Sequence, residues 1–205
     1  MTTMASTFRS ILRDGRLLPA AALFLLLQPA HATAQQTSPA LSVHEQQGVF
    51  TVVARFLVDQ PPSTALAVLT DYERIPRFMP GVRTSIVVER GAGRTVVEQE
   101  AVSSVMLFSK RVHLVLEIDE QSDALVFRDR CGRSFARYEG AWRVSPANGG
   151  TAITYQLTAE PSFDVPGFML KRLLRRDSTE MIERLQREIA ARAASDPVLP
   201  SAPLK

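Results

Sequence analysis

The residues best placed to act on another molecule are bulky and apolar. Phe56, Tyr72, Phe78, Met79, Phe127, Tyr138, Trp142, Tyr155, Phe168 and Met169 come from many separate segments. Val97, Leu114 and Leu173 join them on the same sides of their strands and helix. A wall of this kind suits a small hydrophobic ligand, with a few polar groups fixing its orientation. Gln99 is the candidate polar contact, because it shares a strand face with Val97 and Ala101. An inward glutamine needs a partner, from the protein or from a ligand. Any one of these side chains could equally fill a core.

Conventional catalytic arrangements are absent from the sequence. Glu98 and Glu100, and Glu117 and Asp119, stand two apart. Desolvated carboxylate pairs could do acid/base work, but spacing of two on an amphipathic strand describes a wet face. His44 and His113 have no Cys or second His at ligand spacing, so no metal site is expected. No serine lies in a nucleophile elbow. Gly91-Ala92-Gly93 lacks the third glycine and the following helix of a dinucleotide fingerprint, so no phosphate cofactor is implied. Cys131 is the single cysteine and reads as a small apolar strand residue or a reactive thiol. If the chain is an enzyme, Tyr72, Tyr138 and Gln99 are the groups a pocket could activate.

One basic cluster stands out. Lys171, Arg172, Arg175 and Arg176 lie together at the start of the last helix. They are either a solvated face, paired with Asp177 and Glu180 at helical spacing, or a contact for anionic headgroups at a membrane surface.

These residues need a frame. The 205 residues are 45% hydrophobic and 22% charged, ordinary for a single globular domain. Net charge is +3. Arg9, Arg13 and Arg16 against Asp14 give residues 1–34 a charge of +2, leaving +1 for the rest. The charge therefore offers no reason to expect nucleic acid as a partner. Basic residues, the apolar run Leu17 to Leu27 and the small-x-small Ala32-Thr33-Ala34 follow in the order of a secretory signal. The apolar run is 11 residues, against about 20 for a membrane span. Cleavage is expected near Ala34 and localisation in the periplasm or outside the cell. Residues 35–42 read as a flexible leader and residues 194–205 as a disordered tail.

Between them the chain reads as strand, short helices, six strands and one long helix. Phe50, Val52, Ala54, Phe56 and Val58 alternate in a first strand, Val43 to Asp59, which Pro61-Pro62 stops. A helix, Thr64 to about Tyr72, and one turn at Arg77-Phe78-Met79 follow. Gly91-Ala92-Gly93 and Asn148-Gly149-Gly150 mark turns among the later strands. In the strand Leu107 to Glu120, Val112, Leu114, Leu116 and Ile118 face inward, opposite Arg111, His113, Glu117 and Asp119. In Ser134 to Val144, Ala136, Tyr138, Gly140, Trp142 and Val144 share the inner face. The closing helix, Pro166 to about Arg192, carries Leu170, Leu174, Met181, Leu185 and Ile189 on one face. A lone amphipathic helix after antiparallel strands needs their sheet to bury its stripe. The fold class is α+β, a sheet of about seven strands curved around this helix. Arg175 to Glu180 interrupts the stripe. The first turns are therefore expected to form the pocket lip through Phe168, Met169 and Leu173, and Met181 to Ile189 to be gripped by the sheet.

Several motifs then resemble one family. Leu69 to Arg90 (LTDYERIPRFMPGVRTSIVVER), Tyr138-Glu139-Gly140-Ala141-Trp142, Gly150 to Tyr155, and Pro161 to Asp177 follow the order seen in the polyketide cyclase/dehydrase group of START-like (SRPBCC) helix-grip proteins, including those that bind coenzyme Q. The resemblance covers about residues 43–193 and implies two short helices after the first strand. It implies a cavity for a lipid, quinone or other hydrophobic molecule, or a cyclase/dehydratase acting on a polyketide-like or aromatic substrate there. It supplies no catalytic residues. A monomer without cofactor is expected.

Overall fold

The structure is a computed structural model and describes residues 39–79, 81–105 and 108–195. The expected signal segment, the leader before residue 39 and the tail after residue 195 lie outside the described residues.

Alternating apolar residues pair the strands into one eight-stranded antiparallel sheet. It comprises β1 (Ala40–Gln46), β2 (Val49–Val58), β3 (Val82–Gly91), β4 (Arg94–Val105), β5 (Phe108–Glu120), β6 (Ala124–Asp129), β7 (Phe135–Ala147) and β8 (Gly150–Pro161). Their order is β1-β2-β8-β7-β6-β5-β4-β3. The helices are α1 (Pro62–Leu69), a 3₁₀ turn at Tyr72–Arg74, α2 (Ile75–Phe78) and α3 (Gly167–Ser195). The sheet curves around α3, and the short helices span from β2 to β3 at the far edge.

The single first strand is in fact two. Gln47 and Gly48 both have positive φ, 53° and 81°, and reverse the chain between β1 and β2. Two successive residues of that kind make the tight turn whose twist suits a hairpin. β1 begins at Ala40, inside the segment read as leader, and α3 runs two residues into the expected tail.

A second difference lies in β7. The pairing with β8 shifts between Phe135 and Arg137, so Ala136 is the extra residue of a bulge. Alternation is broken there. Phe135 turns inward and is buried, while Ala136 is exposed. Cys131 lies in the turn between β6 and β7, not in a strand; its thiol approaches the His113 carbonyl at 3.8 Å.

α3 is held by different partners along its length. Leu170 and Leu173 form a small cluster with Phe50 of β2. Ile182, Leu185 and Ile189 enter the main core with Val52, Ala54, Val68 and Ile153. Arg192 closes the far end with an ion pair to Asp71, 2.8 Å away beside the 3₁₀ turn. The Gln186 side chain also donates to the Leu57 carbonyl, at 3.0 Å.

The sheet's outer face carries the charges, with one departure. Glu117 is nearly buried among Arg94, Arg128 and Arg130. Its hydrogen bonds from Arg128, aided by the charges of all three arginines, hold its carboxyl below the usual range against the opposing effect of desolvation. His113 lies 3.6 Å from Glu98 and 4.0 Å from Glu100 on the same face. These carboxylates therefore have side-chain partners on the outer face of the sheet and do not line the concave interior.

Candidate ligand cavity

The concave side of the sheet is not filled. A cavity of about 520 Å³ lies between β3–β8, the short helices and the middle of α3. That is within the size range of small-molecule sites. Its floor is aromatic: Phe127, Tyr138, Trp142 and Tyr155 come from β6, β7 and β8. The Trp142 and Tyr155 rings are 4.3 Å apart, and Phe127 lies 6.0 Å from Tyr138 and 6.4 Å from Tyr155.

Gly140 makes this floor flat enough. It pairs directly with Phe127 across β6 and β7. A Cβ at Gly140 would stand 2.7 Å from the Phe127 ring and 2.1 Å from the Gln156 carbonyl oxygen. The missing side chain therefore lets the ring lie across the strand.

Of the residues expected to line a pocket, Tyr72, Phe78, Met79, Gln99, Phe127, Tyr138, Trp142 and Tyr155 are brought together around this cavity. Phe56, Val97 and Leu114 are buried in the core beside it and do not reach it. The expected lip on the first turns of α3 is not there. Phe168 is 77% exposed, Leu173 packs on Phe50, and Met169 stays off the cavity wall. The helix meets the cavity further on, through Arg176, Asp177, Glu180, Met181, Arg184 and Leu185. The break in the apolar stripe is where the helix crosses the opening, so polar side chains belong there. Lys171, Arg172 and Arg175 are exposed and away from the wall, whereas Arg176 reaches it.

Further residues complete the wall. Val68 and Leu69 of α1 and Ile75 of α2 close one side. Leu116, Ile118 and Ala101 come from strand faces already read as inward, so alternation could have supplied them. Arg83 could not be found that way, since it lies at a break in register between Val82 and Thr84.

The polar groups have defined states. Gln99 donates to the Ser85 hydroxyl at 3.1 Å, directly across β3 and β4, so its partner is the protein. The Tyr72 hydroxyl donates to Glu120 at 2.9 Å, so its proton is held by the protein. Burial and then this bond push its pKa far up, so it is a poor acid. The Tyr138 and Tyr155 hydroxyls are hydrogen-bond partners. Burial pushes Tyr138 up to about 12 and Tyr155 well above its ordinary value. Both phenols stay neutral at physiological pH. For a group whose pKa rises on folding, the stabilising contribution is whole below the unfolded value and lost above it. Stability is thus expected to fall as pH climbs from about 10 toward 12. Replacing Tyr138 with Phe should flatten that fall, which thermal melts across this range would measure.

The cavity therefore offers aromatic and aliphatic walls with neutral hydroxyls, and charged side chains of β3 and α3 at its opening. No group of His, Cys, Asp and Glu that could hold a metal occurs among the described residues. No described helix is long and apolar enough to cross a membrane.

Residues 58–186 match the family described as polyketide cyclase / dehydrase and lipid transport. The chain belongs to that family. Several solved members of the fold superimpose on it. A protein from Thermus thermophilus is 23% identical, with a TM-score of 0.62 over 70% of this chain and 99% of its own. The Zhui aromatase/cyclase from Streptomyces sp. R1128 is 15% identical, with a TM-score of 0.60 over 76% and 99%. A STAR-related lipid transfer protein from Xanthomonas axonopodis is 15% identical, with a TM-score of 0.54 over 75% and 99%. At these identities the likeness establishes the helix-grip fold, which the family shares across lipid-transfer and cyclase members. No curated protein matches the chain in sequence.

Proposed function

We propose that this family member is exported and carries a lipid, quinone or other small hydrophobic molecule in its cavity. The observation that carries the reading is the wall itself: an aromatic floor and aliphatic sides, with Tyr72 committed to Glu120 and Gln99 to Ser85. Residues 1–34 support export through their order of basic, apolar and small residues. The name of the Xanthomonas protein is consistent with a carrier.

A cyclase or dehydratase is the second reading, favoured by the facing Tyr138 and Tyr155 hydroxyls and by the Streptomyces aromatase/cyclase likeness. Two neutral phenols could hydrogen-bond a substrate carbonyl. The readings separate cleanly: a carrier should keep its affinity and return its ligand unchanged after Tyr155→Phe, whereas an enzyme should lose turnover.

The exposed start of α3 suggests where a carrier meets its source. Phe168 stands three, four and seven residues before Lys171, Arg172 and Arg175, all on an exposed face. Aromatic and basic side chains together suit the interface of an anionic bilayer. Co-sedimentation with vesicles of phosphatidylglycerol in phosphatidylcholine should exceed that with phosphatidylcholine alone. Replacing Lys171 and Arg172 with Glu should weaken it at least tenfold, at about 1 kcal/mol for each basic residue lost. Equal binding to both vesicle types would remove the membrane from the account.

A further inference from the structure

Polarity in the cavity is segregated. The aromatic floor lies on β6–β8, and a polar corner lies at the sheet edge on β3 and β4. The corner is made by a bulge. Val82 pairs with Ala101 and Thr84 with Glu100, which leaves Arg83 as the extra residue. A regular strand would send Val82 and Arg83 to opposite faces. With the bulge, both line the cavity. Re-aiming a side chain is what such bulges do. Arg83 then falls in phase with Ser85, about 7 Å along the strand, and Ser85 holds Gln99.

The charges around Arg83 leave it available. Glu180 is committed to Arg184, at 2.9 Å, and Arg176 and Asp177 have contacts of their own. Arg83 forms no ion pair with any described residue and is exposed at the opening. Gln99 has a second amide N–H and a carbonyl oxygen beyond its bond to Ser85.

Resting on the carrier reading, we propose that the ligand is an amphipathic acid. Its apolar body lies on the aromatic floor, and its carboxylate accepts hydrogen bonds from Arg83 and the free Gln99 N–H. A guanidinium suits this task because its planar fork matches a carboxylate. Its place at the opening lets the anion keep part of its hydration, so the charge is not stranded in an apolar site.

Calorimetric titration with dodecanoate and with methyl dodecanoate tests this. The acid should bind the unmodified protein about tenfold more tightly than the ester, the size expected of a hydrogen bond to a charged group. Arg83→Gln should erase that preference while leaving ester affinity within about twofold, since an exposed substitution barely alters the fold. Added salt should narrow the preference in the unmodified protein. Acid and ester binding alike, or Arg83→Gln weakening both equally, would overturn the proposal and leave the carrier reading standing. If neither bound, the acid proposal would fall, and the adduct found by native mass spectrometry would decide the carrier reading on its own.

Discussion

Replacing Ile182 with Asp should leave no cooperatively folded domain at room temperature. Ile182 has no exposed surface and lies in the core that α3 shares with the sheet and α1. A carboxylate there would find no solvent and no designed partner. Burying such a group costs several kcal/mol even after it protonates. Domains of this kind hold only about 5–15 kcal/mol in total. Ile182→Val, which removes one methylene, should cost about 1 kcal/mol by comparison. Phe168→Ser should change stability by less than about 0.5 kcal/mol, because that ring is already in water. Denaturant melts of the three variants measure the order directly. Had the first turns been the gripped end of the helix, Phe168→Ser would be the damaging change.

The second large effect concerns binding. Ala101→Trp should lower affinity for an apolar ligand by about two orders of magnitude, or ~2.8 kcal/mol. Ala101 is partly buried and lines the cavity from β4, beside Gln99 and Val102. An indole at this position projects into open space and takes volume that the ligand needs. The protein should still fold, because the side chain enters a cavity and not a packed core. Displacement of a fluorescent apolar probe would give the affinity, and circular dichroism would report the fold. Unchanged affinity would place the ligand elsewhere.

The fold could be read because its physical signals are local. Alternation in Leu107 to Glu120 put Leu114, Leu116 and Ile118 inward, and all three are buried. Pro61-Pro62 ended the strand where β2 stops. What the sequence concealed were reversals and slips without a turn signature. Gln47-Gly48 turns the chain with a glutamine in the left-handed region, where asparagine or aspartate would have announced a hairpin. The bulges at Arg83 and Ala136 change which face a side chain takes, and nothing in composition marks them.

The cavity was legible only in part, for a different reason. Inward aromatic residues could be named from periodicity, and Tyr72, Phe127, Tyr138, Trp142 and Tyr155 do reach the wall. Phe56 and Leu114 have the same pattern but fill the core. Pattern gives the face of a strand, whereas a cavity depends on which facing groups fail to meet. The placement of α3 shows this most clearly. Its apolar start packs on Phe50, and the polar break at Arg176–Glu180 crosses the opening.

Native mass spectrometry of the protein, produced with its own leader and purified gently, tests the central claim most directly. The unmodified protein should carry a solvent-extractable hydrophobic adduct, and Ala101→Trp should not. An unmodified protein that is empty, or one whose adduct survives in Ala101→Trp, would contradict the claim that this cavity holds an apolar ligand.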